Sequence, residues 1–118
     1  MQEFMLLVRT EDDHLADMSP KEQQDHVTQI GNYIGKLMQD GKLKGAQPLD
    51  MAGKMIYGDK GVFKDGPYSE SKEVIVGYFH ILANDLDEAI DIAKANPLFE
   101  AAKASVEVRP IKVMEGIN

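Results

Sequence analysis

An α+β fold, one antiparallel sheet with two helices on a single face, is what this sequence predicts. Two observations lead there. Strand-like apolar runs and helix-like apolar spacings alternate along the chain as strand, helix, strand (with a small hairpin), strand, helix, strand. In addition, both helix starts carry capping residues at the right spacing, which separates them from the strands around them. A chain of 118 residues has the size of one domain, spanning 1–118.

The first strand is Glu3 to Arg9, with Phe4-Met5-Leu6-Leu7-Val8 apolar on both faces. Ser19 as N-cap, Pro20 at the first helical position and Glu22 closing a capping box open the first helix. Val27, Ile30, Ile34, Leu37 and Met38 keep helical spacing and are expected to face the core. Gly41 supplies the left-handed residue that stops the helix. Gly31 and Gly35 share one helix face, and close packing against a strand is the plain explanation for two such costly residues.

Residues 45–49 read as an irregular extended stretch. Met55-Ile56-Tyr57 and Val62-Phe63 read as a hairpin around Gly58-Asp59-Lys60-Gly61. The long strand Glu73 to Ala83 follows. Asp85 and Glu88 are spaced as a capping box for the second helix, whose expected buried stripe is Leu86, Ala89, Ile90 and Ala93. Asn96-Pro97 ends it. Residues 98–103 form a connector with room for a helical turn. Ser105 to Val113 is the last strand, and Pro110 within it marks an edge or a bulge. Right-handed crossovers put both helices on one face, with the first and third strands central: the ferredoxin-like arrangement.

That topology leaves one sheet face without helices, and the strands do not make it polar. Alternation sends Val74, Val76, Tyr78 and Leu82 one way and Ile75, Phe79, Ile81 and Ala83 the other. An apolar face of several hundred square ångströms is more than a monomer usually exposes. The expectation is a homodimer packed sheet to sheet, a dimeric α/β barrel; a third layer built from loops of the same chain is the alternative.

Composition narrows the function classes. Cysteine is absent, so no disulfide, thiol nucleophile or thiolate metal site is available, which fits a cytoplasmic protein. Thirteen Lys and Arg against twenty Asp and Glu give a net charge of −7, which argues against direct nucleic-acid binding. Met1-Gln2-Glu3-Phe4 lacks the basic and apolar regions of a signal peptide, and no apolar run approaches a membrane span. His14, His26 and His80 have no close metal-ligand spacing, although Asp12-Asp13-His14 is a place where a cation could lodge. No G-x-G-x-x-G or Walker pattern occurs, and no metal or cofactor is expected.

Asp65-Gly66-Pro67-Tyr68-Ser69-Glu70-Ser71-Lys72-Glu73 resembles the DGPF signature of the YCII-related domain family. The likeness continues through Gly77-Tyr78, Asp85-Leu86-Asp87-Glu88-Ala89, Pro97 and Val106-Glu107-Val108-Arg109-Pro110, and through Glu3 to Val8 and Gly41-Lys42-Leu43. It covers nearly the whole chain. Tyr68 stands for the usual phenylalanine, and Val76 for a second glycine before Gly77. The resemblance implies a ferredoxin-like dimer of mostly unassigned role. In related domains a histidine and an aspartate near a cleft suggest an enzyme, whereas some DGPF proteins are linked with extracytoplasmic-function sigma factors. The helix histidine of the shorter relatives falls at Ile30, one turn after His26, so no catalytic role is carried onto His26.

The candidate residues follow from both readings. His80, mid-strand beside Tyr78 and Leu82, is a candidate acid or base if a carboxylate reaches it, with Asp65 or Glu73 the nearest in prospect, or a residue from a partner chain. The competing reading is a packed core or interface histidine. Asp65 is the second catalytic candidate, although an aspartate before Gly-Pro also serves simply to bond turn amides. Tyr78, Glu73 and Arg109 are the ligand-binding candidates, Arg109 because a guanidinium grips a carboxylate bidentately. Two function classes result: a small-molecule enzyme or binding protein with a pocket near Asp65, His80 and Arg109, and a regulatory module acting through protein contact.

Overall fold

The computed structural model describes residues 1–11, 13–66 and 73–118. Asp12 and the Pro67–Lys72 part of the turn signature lie outside the described residues. The chain runs β1 (Gln2–Thr10), α1 (Pro20–Gln39), β2 (Leu43–Pro48), β3 (Met55–Asp59), β4 (Val62–Gly66), β5 (Val74–Ala83), α2 (Leu86–Lys94), α3 (Leu98–Ala101) and β6 (Ala104–Pro110). Four strands form an antiparallel sheet in the order β2-β5-β1-β6, and β3 and β4 form a separate two-stranded ribbon. This mixed α+β arrangement is compatible with the ferredoxin-like expectation, with β1 and β5 central. The sheet is open, with β2 and β6 as its edges. No helix among the described residues is long and apolar enough to cross a membrane.

The local signals act as their chemistry requires. The Ser19 side chain accepts the Glu22 amide and the Glu22 carboxylate accepts the Ser19 amide, so the capping box is complete. Gly41 has φ +70°, the left-handed conformation expected after Asp40. Asp85 caps α2 by accepting the Glu88 amide at 2.8 Å. Glu88 reaches one residue further back than a capping box requires: it accepts the Asn84 amide at 3.3 Å and pairs with Lys42 at 2.9 Å.

Alternation along β1 places Phe4, Leu6, Val8 and Thr10 beneath the helices, all almost fully buried. Phe79, Ile81 and Ala83 of β5, Ala89 and Ala93 of α2, and Leu98 of α3 complete this core. Burying a large aliphatic or aromatic side chain contributes on the order of 1.5–3 kcal/mol, so this layer holds the helices to the sheet. Tyr33 joins it edge-on to Phe79 and donates its hydroxyl to the Ile92 carbonyl at 2.6 Å; burial pushes the phenol up to about 12.

Several expectations are corrected. The buried face of α1 is His26, Tyr33, Ile34 and Leu37, while Val27 and Met38 are 57% and 64% exposed. Leu86 is likewise exposed on α2. Gly31 and Gly35 pack against nothing: a Cβ at either would meet no described atom within 4 Å. Residues 43–48 form a true edge strand, obscured in sequence by Gly45, Gln47 and Pro48, which are poor strand formers or ladder donors. A bulge opposite Val8 and Arg9 turns Val76 toward the helix-side core instead of alongside Tyr78. The hairpin turn is only Lys60-Gly61, both with positive φ, the two-residue geometry that matches strand twist. β6 ends at Pro110, short of Val113.

Candidate functional site

Gln23 brings the loop after β1 onto the first helix. Its amide donates to the carbonyls of Leu15 at 2.9 Å and Met18 at 3.2 Å. The Asp13 carboxylate accepts the Leu15 amide at 3.0 Å and closes the turn. Pinned this way, His14 comes against His26 one helical turn beyond Gln23. The two rings meet edge to face, with centroids 5.3 Å apart and planes at 81°.

These histidines stand in a cavity of about 550 Å³ between the first half of α1, the end of β2 with the segment after it, and β5. Its volume falls in the range of small-molecule sites, roughly 300–1,000 Å³. Val8, Val27, Ile30, Ile34, Ala46, Met51, Val76, Phe79 and Leu98 supply apolar lining, and Asp13, Gln47, Asp50 and Asn96 the polar groups. Gly77 lets β2 come close at this wall. A Cβ there would lie 2.9 Å from the Gln47 carbonyl oxygen and 3.5 Å from the Pro48 Cα.

His26 is 7% exposed. Among the described residues, Nδ1 of both His14 and His26 is buried without a hydrogen-bond partner. Burial lowers the pKa of each below the ordinary 6.5; the neighbouring His26 lowers His14 further, against a weaker upward pull from Asp13. Both imidazoles are therefore neutral at pH 7, the form that accepts a proton. A neutral imidazole in a largely apolar cavity can act as a general base, or can orient a ligand hydroxyl.

The sequence-derived candidates are dispersed. Tyr78 borders this same cavity, although its pairing with Leu7 sets its side chain on the helix-free face of the sheet. Glu73 lines a second one, about 600 Å³, with Arg9, Asp50, Lys54 and Val74. His80 lies on the sheet face away from the helices. Its Nε2 is 2.9 Å from Glu3 Oε1, the oxygen that also takes Lys44 Nζ at 2.9 Å. Lys44, then His80, hold the Glu3 carboxyl below the usual carboxylate range. The carboxylate at His80 is thus Glu3, not Asp65 or Glu73, because antiparallel pairing sets His80 opposite Met5, two residues from Glu3.

Arg109 is opposite the same Met5 on the other side, so His80 and Arg109 share a row across β5, β1 and β6, roughly 10 Å apart at the backbone. Arg109 is exposed, 3.6 Å from Glu107, which also pairs with Arg9 at 2.9 Å. Asp65 is on β4, exposed, opposite Ile56. Among the described residues no hydrogen bond or ion pair joins it to His80, and neither His80, Arg109 nor Asp65 lines either cavity.

The sequence reading gave His14 only a place beside Asp12 and Asp13 where a cation could lodge, and carried no catalytic role onto His26. A signal for His26 was present: it keeps i, i+4, i+7 and i+11 spacing with Ile30, Tyr33 and Leu37. For His14 there was none, since its position depends on how the loop folds back.

Comparison with known proteins gives two findings. The family model of the YCII-related domain matches residues 2–115. A curated relative from Rhizobium meliloti (strain 1021), itself an uncharacterized protein, is 38% identical over 50 residues. That segment is 42% of this chain and 40% of the relative, so the likeness spans about two-fifths of the relative's length.

Proposed function

Because this chain belongs to the YCII-related domain family, we propose that it binds a small, mainly apolar molecule in the α1–sheet cavity, with His26 as its acid–base or hydrogen-bonding group. The observation that carries this reading is a nearly buried histidine, edge to face with a second one, in an apolar cavity of ligand size. Nε2 of His26 would meet the ligand, since Nδ1 is enclosed. The protein works in the cytoplasm as a homodimer, with Met5, Leu7, Tyr78 and Leu82 of the helix-free sheet face turned to the second copy.

A thermal-shift screen against small organic acids and metabolites tests the reading. A ligand at a hundred times its Kd stabilises the folded state by about 2.7 kcal/mol. Hits are expected to lose most of their shift in His26→Gln. Hits with undiminished shifts in that variant would remove the cavity from consideration.

A second reading keeps the sheet face as the site. Glu3 holds both Lys44 and His80, and a homodimer would enclose this group with Tyr78 and Arg109 at the interface. Asp65 and Glu73 enter that site only if the partner supplies them. A His80→Ala protein that keeps its dimer and all ligand binding would end it. Should no compound stabilise the protein, the regulatory reading, protein contact in an extracytoplasmic-function sigma factor setting, takes its place.

A further inference from the structure

The β3–β4 ribbon is poorly covered by its own domain. Every residue of β3 and all of β4 but Gly66 are exposed. Ile56, Val62 and Phe63 stand 66%, 73% and 72% open. Among the described residues the two strands pair only with each other. A lone two-stranded ribbon is marginal in water, so this one needs a cover.

Its pattern says what kind of cover. Gly58 is opposite Phe63 and Asp59 opposite Val62. Alternation therefore puts Ile56 and Phe63 on one side and Met55, Tyr57 and Val62 on the other. The Phe63 ring lies across Gly58 and the Tyr57 ring across Gly66, where an added Cβ would come within 3.1 and 2.8 Å of them. The ribbon is thus stiffened by its own rings and presents apolar groups on both sides, with Asp65 beside Ile56 and Phe63, and Asp59 and Lys64 beside Tyr57 and Val62. Folding back onto its own domain would cover one side only.

We propose that this ribbon is an arm that grips a second copy of the chain, extending the sheet-to-sheet contact; the inference rests on the homodimer reading above. In a two-fold pair each arm meets the same surface on the other copy, so both contribute. The exposed apolar side chains of one arm amount to on the order of 500 Å². Two arms and the surfaces they cover then bury roughly 2,000 Å², the lower end of stable dimers, before the sheet faces are counted. Charge agrees: residues 54–66 carry three lysines and two aspartates in a chain of net charge −7, so a slightly basic arm approaches an acidic body. Shape agrees as well. The radius of gyration is 16.1 Å, against about 13.5 Å for a compact domain of this length.

Sedimentation velocity on the full chain tests the arm, with Phe63→Asp set beside Leu7→Asp on the sheet face. We expect Phe63→Asp to raise the dimer Kd at least 100-fold while circular dichroism stays unchanged. A Phe63→Asp dimer with wild-type Kd overturns the arm and leaves the homodimer standing. A wild-type monomer at micromolar concentration overturns both. Since the chain has no cysteine, a nitroxide on Val62→Cys gives a milder second measurement. Its spectrum should be immobilised in the dimer and mobile on dilution below the Kd. A mobile label in concentrated dimer overturns the arm even if Phe63→Asp fails to fold.

Discussion

Gly77→Ala is the most direct probe of how the cavity wall is built. The added methyl would lie 2.9 Å from the Gln47 carbonyl oxygen and 3.5 Å from the Pro48 Cα. Both are backbone atoms, so no side chain can swing aside and β2 itself must retreat by a few tenths of an ångström. Overpacking of this kind costs about 1–3 kcal/mol. Replacing a strand glycine returns roughly 0.5–1 kcal/mol through the unfolded chain. The net expectation is a loss of about 0.5–2 kcal/mol, a fall in the urea midpoint of roughly 0.3–1 M followed by circular dichroism. The retreat should also loosen the Leu49 amide, bonded to the Val76 carbonyl at 2.9 Å beside the cavity, so its hydrogen exchange should accelerate more than that of the β1 amides. If Gly77→Ala is as stable as wild type and the Leu49 amide stays as protected, β2 does not press on Gly77 and the wall is elsewhere.

Gly31→Ala and Gly35→Ala should do the opposite. Each removes a helix-interior glycine at an open position, and a gain of about 0.8–1 kcal/mol is expected from urea unfolding; destabilisation by either would mean that this face of α1 packs against something, such as a second copy. The histidine pair sets a pH dependence. Both groups have folded values below the ordinary 6.5, so protonation favours the unfolded chain. Their contribution is fully present above pH 6.5 and is lost as pH falls through the lowered folded values. Unfolding free energies of wild type and His14→Gln/His26→Gln from pH 8 to 5 should converge toward the acid end, and a constant difference would contradict the burial of the pair.

Much of the fold was legible because its signals are local. Ser19, Pro20 and Glu22 start α1 wherever the chain goes next, and Lys60-Gly61 turns the hairpin by its own backbone preference. The buried face of α1 was misjudged by about one residue, since Val27 and Met38 look as apolar as Ile34 and Leu37 and only the sheet chooses between them. The candidate site was legible in pieces. Tyr78 lies at the cavity, but the charged turn drew attention toward Asp65, which belongs to the ribbon. His80 did find a carboxylate, and no sequence neighbour identifies Glu3 as that group.

The sequence by itself determined the two long helices, the two central strands and the hairpin, with their order, because periodicity and capping act over a few residues; both faces of the central strands are apolar, so the core side was left to the tertiary structure. Tertiary structure alone decided the partners: Glu3 for His80 through the β1–β5 register, His14 for His26 through the Gln23 tether, and Val76 for the core through a bulge. Register, loop return and bulges depend on contacts between residues far apart in the chain, and a one-dimensional pattern carries no measure of that distance.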